Sequence, residues 1–244
     1  MNLGLEGRVA LVGGASRGLG RAVAEELAAE GASVAVCARE SESLHTTAEA
    51  LGALALPADL AVEGEPARVV DACAKHFGRL DILVANAGGP PAGGFESFDD
   101  EAWRRATALV LSSTVELATA AVPHMRRGGW GRILCVTSIT AKRPVDNLLL
   151  SNALRPAVAG FAHSLAREVA KDGITVNTIL PGYTRTERMV ELNVGAETEA
   201  EIPLGRLGEP REFAATAAFL VSERASYITG AAVPVDGGWL RSMF

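Results

Sequence analysis

The stretch RVALVGGASRGLGRAVAEELAAEGA, residues 8–32, decides the fold. Its first six residues are a β-rich apolar run closed by Gly13 and Gly14. From Leu19 onward apolar residues recur at helical spacing until Gly31 stops them. Between the two, Gly14, Gly18 and Gly20 let the backbone turn tightly and approach a ligand. A helix that begins there offers free N–H groups and the positive end of its dipole to a pyrophosphate. The stretch lacks the Lys-Ser/Thr ending of a phosphate loop of the G-x-x-x-x-G-K-[ST] type. A plain strand-to-helix turn would use the same glycines. The strand before and the helix after favour a dinucleotide cradle.

The rest of the chain repeats this alternation. Strands are expected at 33–38, 54–59, 81–88, 131–138, 174–182 and 231–238. Helices are expected at 43–53, 67–78, 99–127, 147–173 and 209–223, with Pro156 a cost inside the fifth of these six, counting 19–32 as the first. The strand runs are continuously apolar, as in a parallel sheet covered on both faces. The expectation is one α/β domain spanning 1–244, a Rossmann-type doubly wound parallel sheet with helices on both faces. The polar stretch 185–208 reads as a substrate lid with Met189, Val190 and Leu192 on its apolar face.

Composition narrows the function. Hydrophobic residues at 48% and charged residues at 21% suit an ordinary globular core. The formal net charge of −6 argues against a nucleic-acid partner, which needs a basic face. Cys37, Cys73 and Cys135 read as reduced buried thiols, and neither they nor the four histidines have metal-ligand spacing. No basic, apolar leader opens the sequence and no run of about 18 apolar residues interrupts it, so a cytoplasmic protein without a membrane partner is expected. The second strand ends VCAR with no carboxylate before Glu40. Arg39, joined by Arg17, suits a ribose 2′-phosphate, which favours NADP(H) over NAD(H).

GGASRGLG (13–20), NAG (86–88), Ser138 after a strand, PGYTRT (181–186), IPLGRLGEPREFA (202–214) and ITGAAVPVDGG (228–238) occur in order. Together they resemble the short-chain dehydrogenase/reductase family, most closely its 3-oxoacyl-(acyl carrier protein) reductase-like branch. The resemblance implies a seven-stranded sheet, commonly a homotetramer, and an oxidoreductase acting on a carbonyl or alcohol. It assigns Gly14, Ser16, Arg17, Gly18, Leu19 and Gly20 to the phosphates, and Asp59 and Leu60 to adenine. Asn86, Ala87 and Gly88 fall beside the adenosine ribose, and Pro181, Gly182, Thr184 and Thr186 around the nicotinamide. Gly13 stands where the family has Thr, so the hydroxyl that ties the loop to the NAG turn is expected to be missing.

The catalytic set departs further. The family uses Asn, Ser, Tyr and Lys. Here Ser138 is kept, but Ser151 stands at the Tyr position, Arg155 at the Lys position and Val110 at the Asn position. A phenol with a pKa near 10 can be tuned toward neutrality by a nearby cation; a serine hydroxyl cannot. Arg155 can bind a ribose diol but exchanges no proton at physiological pH. Water above Ser151, Tyr183 and Lys142 are three alternative proton sources. The same losses also suit a catalytically silent NADP(H)-binding member acting as a sensor or partner subunit. The loop GGPPAGGFESF (88–98) should border the nicotinamide end, and no Arg pair is evident for a carboxylate. A small carbonyl or acyl-type substrate is therefore expected.

Overall fold

A computed structural model describes residues 2–192 and 194–241 of the chain. Asn193, inside the expected lid, lies outside the described residues, as do Met1 and residues 242–244. The elements run β1 (Val9–Gly13), α1 (Gly18–Ala29), β2 (Ser33–Ala38), α2 (Glu42–Leu51), β3 (Leu54–Pro57), α3 (Glu65–Phe77) and β4 (Ile82–Ala85). Then come α4 (Asp100–Thr107), α5 (Ser113–Gly128), β5 (Gly131–Val136), α6 (Leu149–Val169) and β6 (Ile174–Pro181). The last are α7 (Glu187–Glu191), α8 (Ala196–Glu201), α9 (Pro210–Leu220) and β7 (Ala232–Val235).

The seven strands form one sheet in the order β3-β2-β1-β4-β5-β6-β7, and every neighbouring pair is parallel. Alternate strand residues feed two cores because successive side chains point to opposite faces. Val9, Leu11, Leu83, Ile133 and Val176 join residues of α3, α5 and α6. Ala10, Val12, Val84, Leu134 and Ile179 join residues of α1, α2 and α9. Each strand is thus covered on both sides, which is why its sequence is apolar throughout. The strand order reverses between β1 and β4. A crevice opens at their carboxyl ends, where ligands of open α/β sheets bind.

Three expected elements differ in detail. The expected helix 99–127 is broken by a π-helical turn, Ala108–Ser112, in which the Ser113 N–H donates to the Ala108 carbonyl five residues back. The Thr114 hydroxyl donates to the Val110 carbonyl at 2.9 Å, and Ser113 Oγ to that of Leu109, so side chains serve the widened turn. This helical run is long and apolar enough to span a bilayer by length and composition. Its inner face, from Val110 to Met125, is nevertheless packed in the core. Helix α6 continues through Pro156 and ends at Val169, followed by a 3₁₀ turn over Ala170–Asp172. The stretch 185–208 contains the short helices α7 and α8, and Val190 points outward, 78% exposed, so it is not part of an inner apolar face.

Candidate active site

The glycine loop meets the physical demands of a pyrophosphate. Arg17 precedes α1 without capping it, and no acidic residue stands in the helix's first turn. The N-terminal N–H groups and the dipole therefore remain unneutralised. Gly14 and Gly18 hold left-handed φ angles of 57° and 58°. A Cβ at Gly20 would lie 2.3 Å from the Gly14 carbonyl oxygen, so any side chain there would force the loop open. Dinucleotide phosphates fit this cradle.

The brace expected to be lost with Gly13 is supplied differently. Asn86, just past β4, donates its Nδ2 to the Gly13 carbonyl at 3.0 Å. A Cβ at Gly13 would lie 2.4 Å from the Asn86 carbonyl oxygen, so the loop and the NAG turn approach closer than a threonine would allow. Ala87 and Gly88 continue from this turn along the same edge of the crevice. Ser16 is held from below, its carbonyl accepting from Thr47 Oγ1 at 3.3 Å. Leu19, in the first turn of α1, is partly buried against the core.

At the adenine end, Arg39 is exposed just past β2. Glu40 turns away from it to pair with His45 at 2.6 Å. Asp59 accepts from the Ala61 N–H at 3.0 Å, and Leu60 is buried beside it. Arg17 is exposed and engaged by the lid: its guanidinium meets Glu191 of α7 at 3.0 Å. Hydrogen bonds from Arg188 and Arg17 hold the Glu191 carboxyl below the usual carboxylate range.

The turn after β6 closes the other side. Gly182 donates its N–H to the Val235 carbonyl at 2.9 Å, and a Cβ there would strike Asp236 at 2.6 Å. Pro181, paired with Val235, ends the strand. Thr184 is buried and Thr186 donates its hydroxyl to the Thr184 carbonyl at 3.3 Å. The Thr186 methyl would stand 3.6 Å from a Cβ at Gly18, so this turn reaches across the crevice to the glycine loop.

The residues at the expected catalytic positions come together between the end of β5 and the start of α6. Ser138, at the end of β5, accepts from the Thr140 N–H at 3.2 Å, which leaves its own proton free to donate. Ser151, on the first turn of α6, is 9% exposed, and its hydroxyl lies 3.0 Å from Thr140 Oγ1. One turn on, Arg155 is 8% exposed and donates an Nη–H to the Val136 carbonyl at 2.9 Å. Its Nε has no partner. Burial, then the charge of Arg188, lowers the Arg155 pKa to about 10, so it remains a cation at neutral pH. Val110 is fully buried in the π turn.

Tyr183 stacks edge-on against Trp239, with ring centroids 5.6 Å apart, and burial followed by the Glu201 charge raises its pKa. Lys142 is exposed to solvent. Sequence reasoning missed Thr140, Asn152 and Arg188. Asn152 locks the loop before α6 by bonding both the N–H and the carbonyl of Val145, at 3.0 and 2.8 Å. Arg188 donates to the Pro90 carbonyl at 2.6 Å. Thr140 stands two residues from Ser138, a spacing that would have marked it; Arg188 carried no such signal.

A family model described as enoyl-(acyl carrier protein) reductase matches residues 14–240. The 3-oxoacyl-[acyl-carrier-protein] reductase FabG of Vibrio cholerae is 38% identical over 244 residues, covering 97% of this chain and 98% of that protein. The chain belongs to the short-chain dehydrogenase/reductase family. Solved members superpose closely. L-sorbose reductase from Gluconobacter frateurii, complexed with NADPH and L-sorbose, has a TM-score of 0.94 at 35% identity, with all of both chains covered. YwfH, an NADPH-dependent reductase of bacilysin biosynthesis, has a TM-score of 0.94 at 28% identity over 98% of this chain and 100% of its own. The seven-stranded sheet and the reversal between β1 and β4 are this family's frame.

Proposed function

We infer that the protein is an NADP(H)-dependent oxidoreductase that reduces a small carbonyl substrate without a tyrosine acid. The observation that carries this reading is the uncapped, acid-free N-terminus of α1 behind a glycine loop that admits no side chain at Gly20. NADPH, as named for the sorbose reductase and YwfH, is the matching nucleotide. Arg17 and Arg39 are the two cations available to its 2′-phosphate.

When bound, NADPH supplies a hydride to the carbonyl carbon. The chain's own residues do the rest. Ser138 presents a hydroxyl proton to the carbonyl oxygen. Arg155 holds the nicotinamide ribose in place of lysine. The proton is drawn from solvent, relayed by a water beside the Ser151 and Thr140 hydroxyls, and the hydroxide left behind exchanges with bulk water; neither hydroxyl can be tuned to an acid near neutrality. The asparagine-held relay has no counterpart at Val110. Cytoplasmic location and homotetrameric assembly belong to the same reading.

A second reading, a silent NADP(H)-binding sensor or partner subunit, is favoured by one observation: Tyr, Lys and Asn are all replaced while the cradle stays intact. NADPH fluorescence titration followed by NADPH consumption over ketones and 3-oxoacyl thioesters decides between them. Binding with turnover supports the oxidoreductase. Binding without turnover supports the sensor, and no binding refutes both.

A further inference from the structure

The nicotinamide end of the crevice holds more positive charge than the nucleotide there answers. Arg155 is more than nine-tenths buried, yet among the described residues no carboxylate lies within ion-pair distance of it. One protein carbonyl accepts from it, and its Nε is left without a partner. Ribose hydroxyls and a carboxamide are neutral and leave that charge uncompensated. A buried guanidinium without an anion is unfavourable unless a ligand brings one.

A second guanidinium closes on the same space. Arg188 reaches from α7 to the Pro90 carbonyl, and a Cβ on Gly89 would lie 3.3 Å from its Nη2. The rim that carries Gly89 and Pro90 is stitched to the start of α6. The Gly93 N–H donates to the Asn147 carbonyl at 2.7 Å and the Leu149 N–H to the Gly93 carbonyl at 3.2 Å. Ser151 follows two residues later and Arg155 one turn after that, so the rim held by Arg188 is joined to the turns that carry both. The repulsion between Arg188 and Arg155, registered in the lowered pKa of the latter, agrees with this. Among the described residues Glu191 is the one acid paired with Arg188, at 3.1 Å, and it is shared with Arg17. Serine at 151 is a far smaller side chain than a tyrosine.

We propose that Arg155 and Arg188 together hold the carboxylate of an anionic carbonyl substrate, a 2-oxo or 3-oxo carboxylate, seated above Ser151. This rests on the oxidoreductase reading, which it deepens by naming the substrate class. Arginine is suited to the task because its planar donors match a carboxylate bidentately.

The test is calorimetric titration of the NADP⁺-loaded protein with 2-oxobutanoate and, separately, with its methyl ester. NADP⁺ keeps reduction from occurring, so the readout is binding alone. The acid is expected to bind at least about tenfold more tightly than the ester, the worth of one charge-assisted contact. Made on a Glu191→Gln background, so that no acid is left to shift onto Arg17, Arg188→Gln should lower the affinity for the acid by about tenfold while leaving the ester and NADP⁺ as in Glu191→Gln alone, and Arg188→Lys on that background should restore part of the loss. Equal binding of acid and ester overturns the proposal, as does an Arg188→Gln variant whose loss falls on NADP⁺ instead. The titration is repeated without nucleotide. Failure to bind NADP⁺ therefore refutes the oxidoreductase reading, while the preference for the acid is scored independently.

Discussion

Restoring the phenol is the sharpest perturbation. The double variant Ser151→Tyr with Arg155→Lys places an acid within reach of the Ser138 hydroxyl and an ammonium beside it. A cation about 4 Å away at an effective dielectric near 20 is worth roughly 4 kcal/mol. That corresponds to about three pKa units and brings a phenol from about 10 toward 7. General acid catalysis of this kind contributes roughly 10²- to 10⁴-fold. The variant is therefore expected to oxidise NADPH at least about a hundredfold faster than the native protein with a neutral ketone. Its rate should also gain a limb that falls as the pH rises through the phenol's pKa, which the native protein lacks. The assay is single-turnover NADPH absorbance across pH, with fluorescence titration confirming that the nucleotide still binds. A folded, NADPH-binding variant with unchanged rate and no new limb would refute the claim that the missing phenol limits proton transfer. The ring should also fill the proposed carboxylate seat, so the same variant should bind 2-oxobutanoate more weakly than the native protein does.

Four further outcomes follow from the same geometry. Gly20→Ala, whose Cβ would press within 2.3 Å of the Gly14 carbonyl, should weaken NADPH binding roughly 10- to 100-fold in fluorescence titration; wild-type affinity would show the loop is not held as described. Arg155→Met removes a buried, acid-free cation and should stabilise the unliganded protein by about 1–3 kcal/mol, a midpoint rise of roughly 2–10 °C by calorimetry, while weakening NADPH binding; a lower midpoint would contradict it. The Glu191–Arg17 bridge depends on a carboxyl whose folded pKa is lowered, so it is intact above the ordinary glutamate range and lost as pH falls through the lowered value. Glu191→Gln should mimic that loss at neutral pH and, by freeing Arg17, tighten NADPH relative to NADH by about two- to fivefold in competitive titration. Cys37, Cys73 and Cys135 are buried with thiols pushed up to about 12, so a disulfide-exchange reagent should label them at pH 8 only after denaturation, as counted by absorbance.

The sheet and its order of elements were legible because burial on both faces writes itself as unbroken apolar runs, as in Val9–Gly13 and Ile82–Ala85. The tight glycine loop was equally legible, since the close backbone approach admits only glycine at position 20. What escaped were features set by tertiary contact. The Asn86 brace replaces a threonine that the backbone spacing would exclude, and nothing local to Gly13 announces it. The π turn depends on the hydroxyls of Ser113 and Thr114 meeting carbonyls in a widened helix, which helical periodicity does not encode. Arg188 lies 98 positions from the Pro90 carbonyl it holds, so its arrival over the rim is a property of the lid's course.

Substitution at the catalytic positions has redistributed charge as well as removed an acid. Lysine can shed its proton or hide a compact charge near a ribose; arginine stays charged and presents a broad planar edge. Burying that edge beside Val136 without a carboxylate leaves a site that is incomplete by itself. Ser151 is a smaller side chain than the family's tyrosine, and Arg188 of α7 holds the Pro90 carbonyl on the rim that is joined to the start of α6. On the proposal above, losing the proton donor and gaining a seat for a substrate anion are one change viewed from two sides. A substrate carboxylate would be anchored where the family's acid once stood, and its carbonyl would be presented to Ser138 with water as the nearest proton source. On this logic the rate on neutral ketones and the affinity for oxo acids should move in opposite directions whenever residue 151 is enlarged. Parallel movement of the two would show that Ser151 and Arg155 are independent replacements.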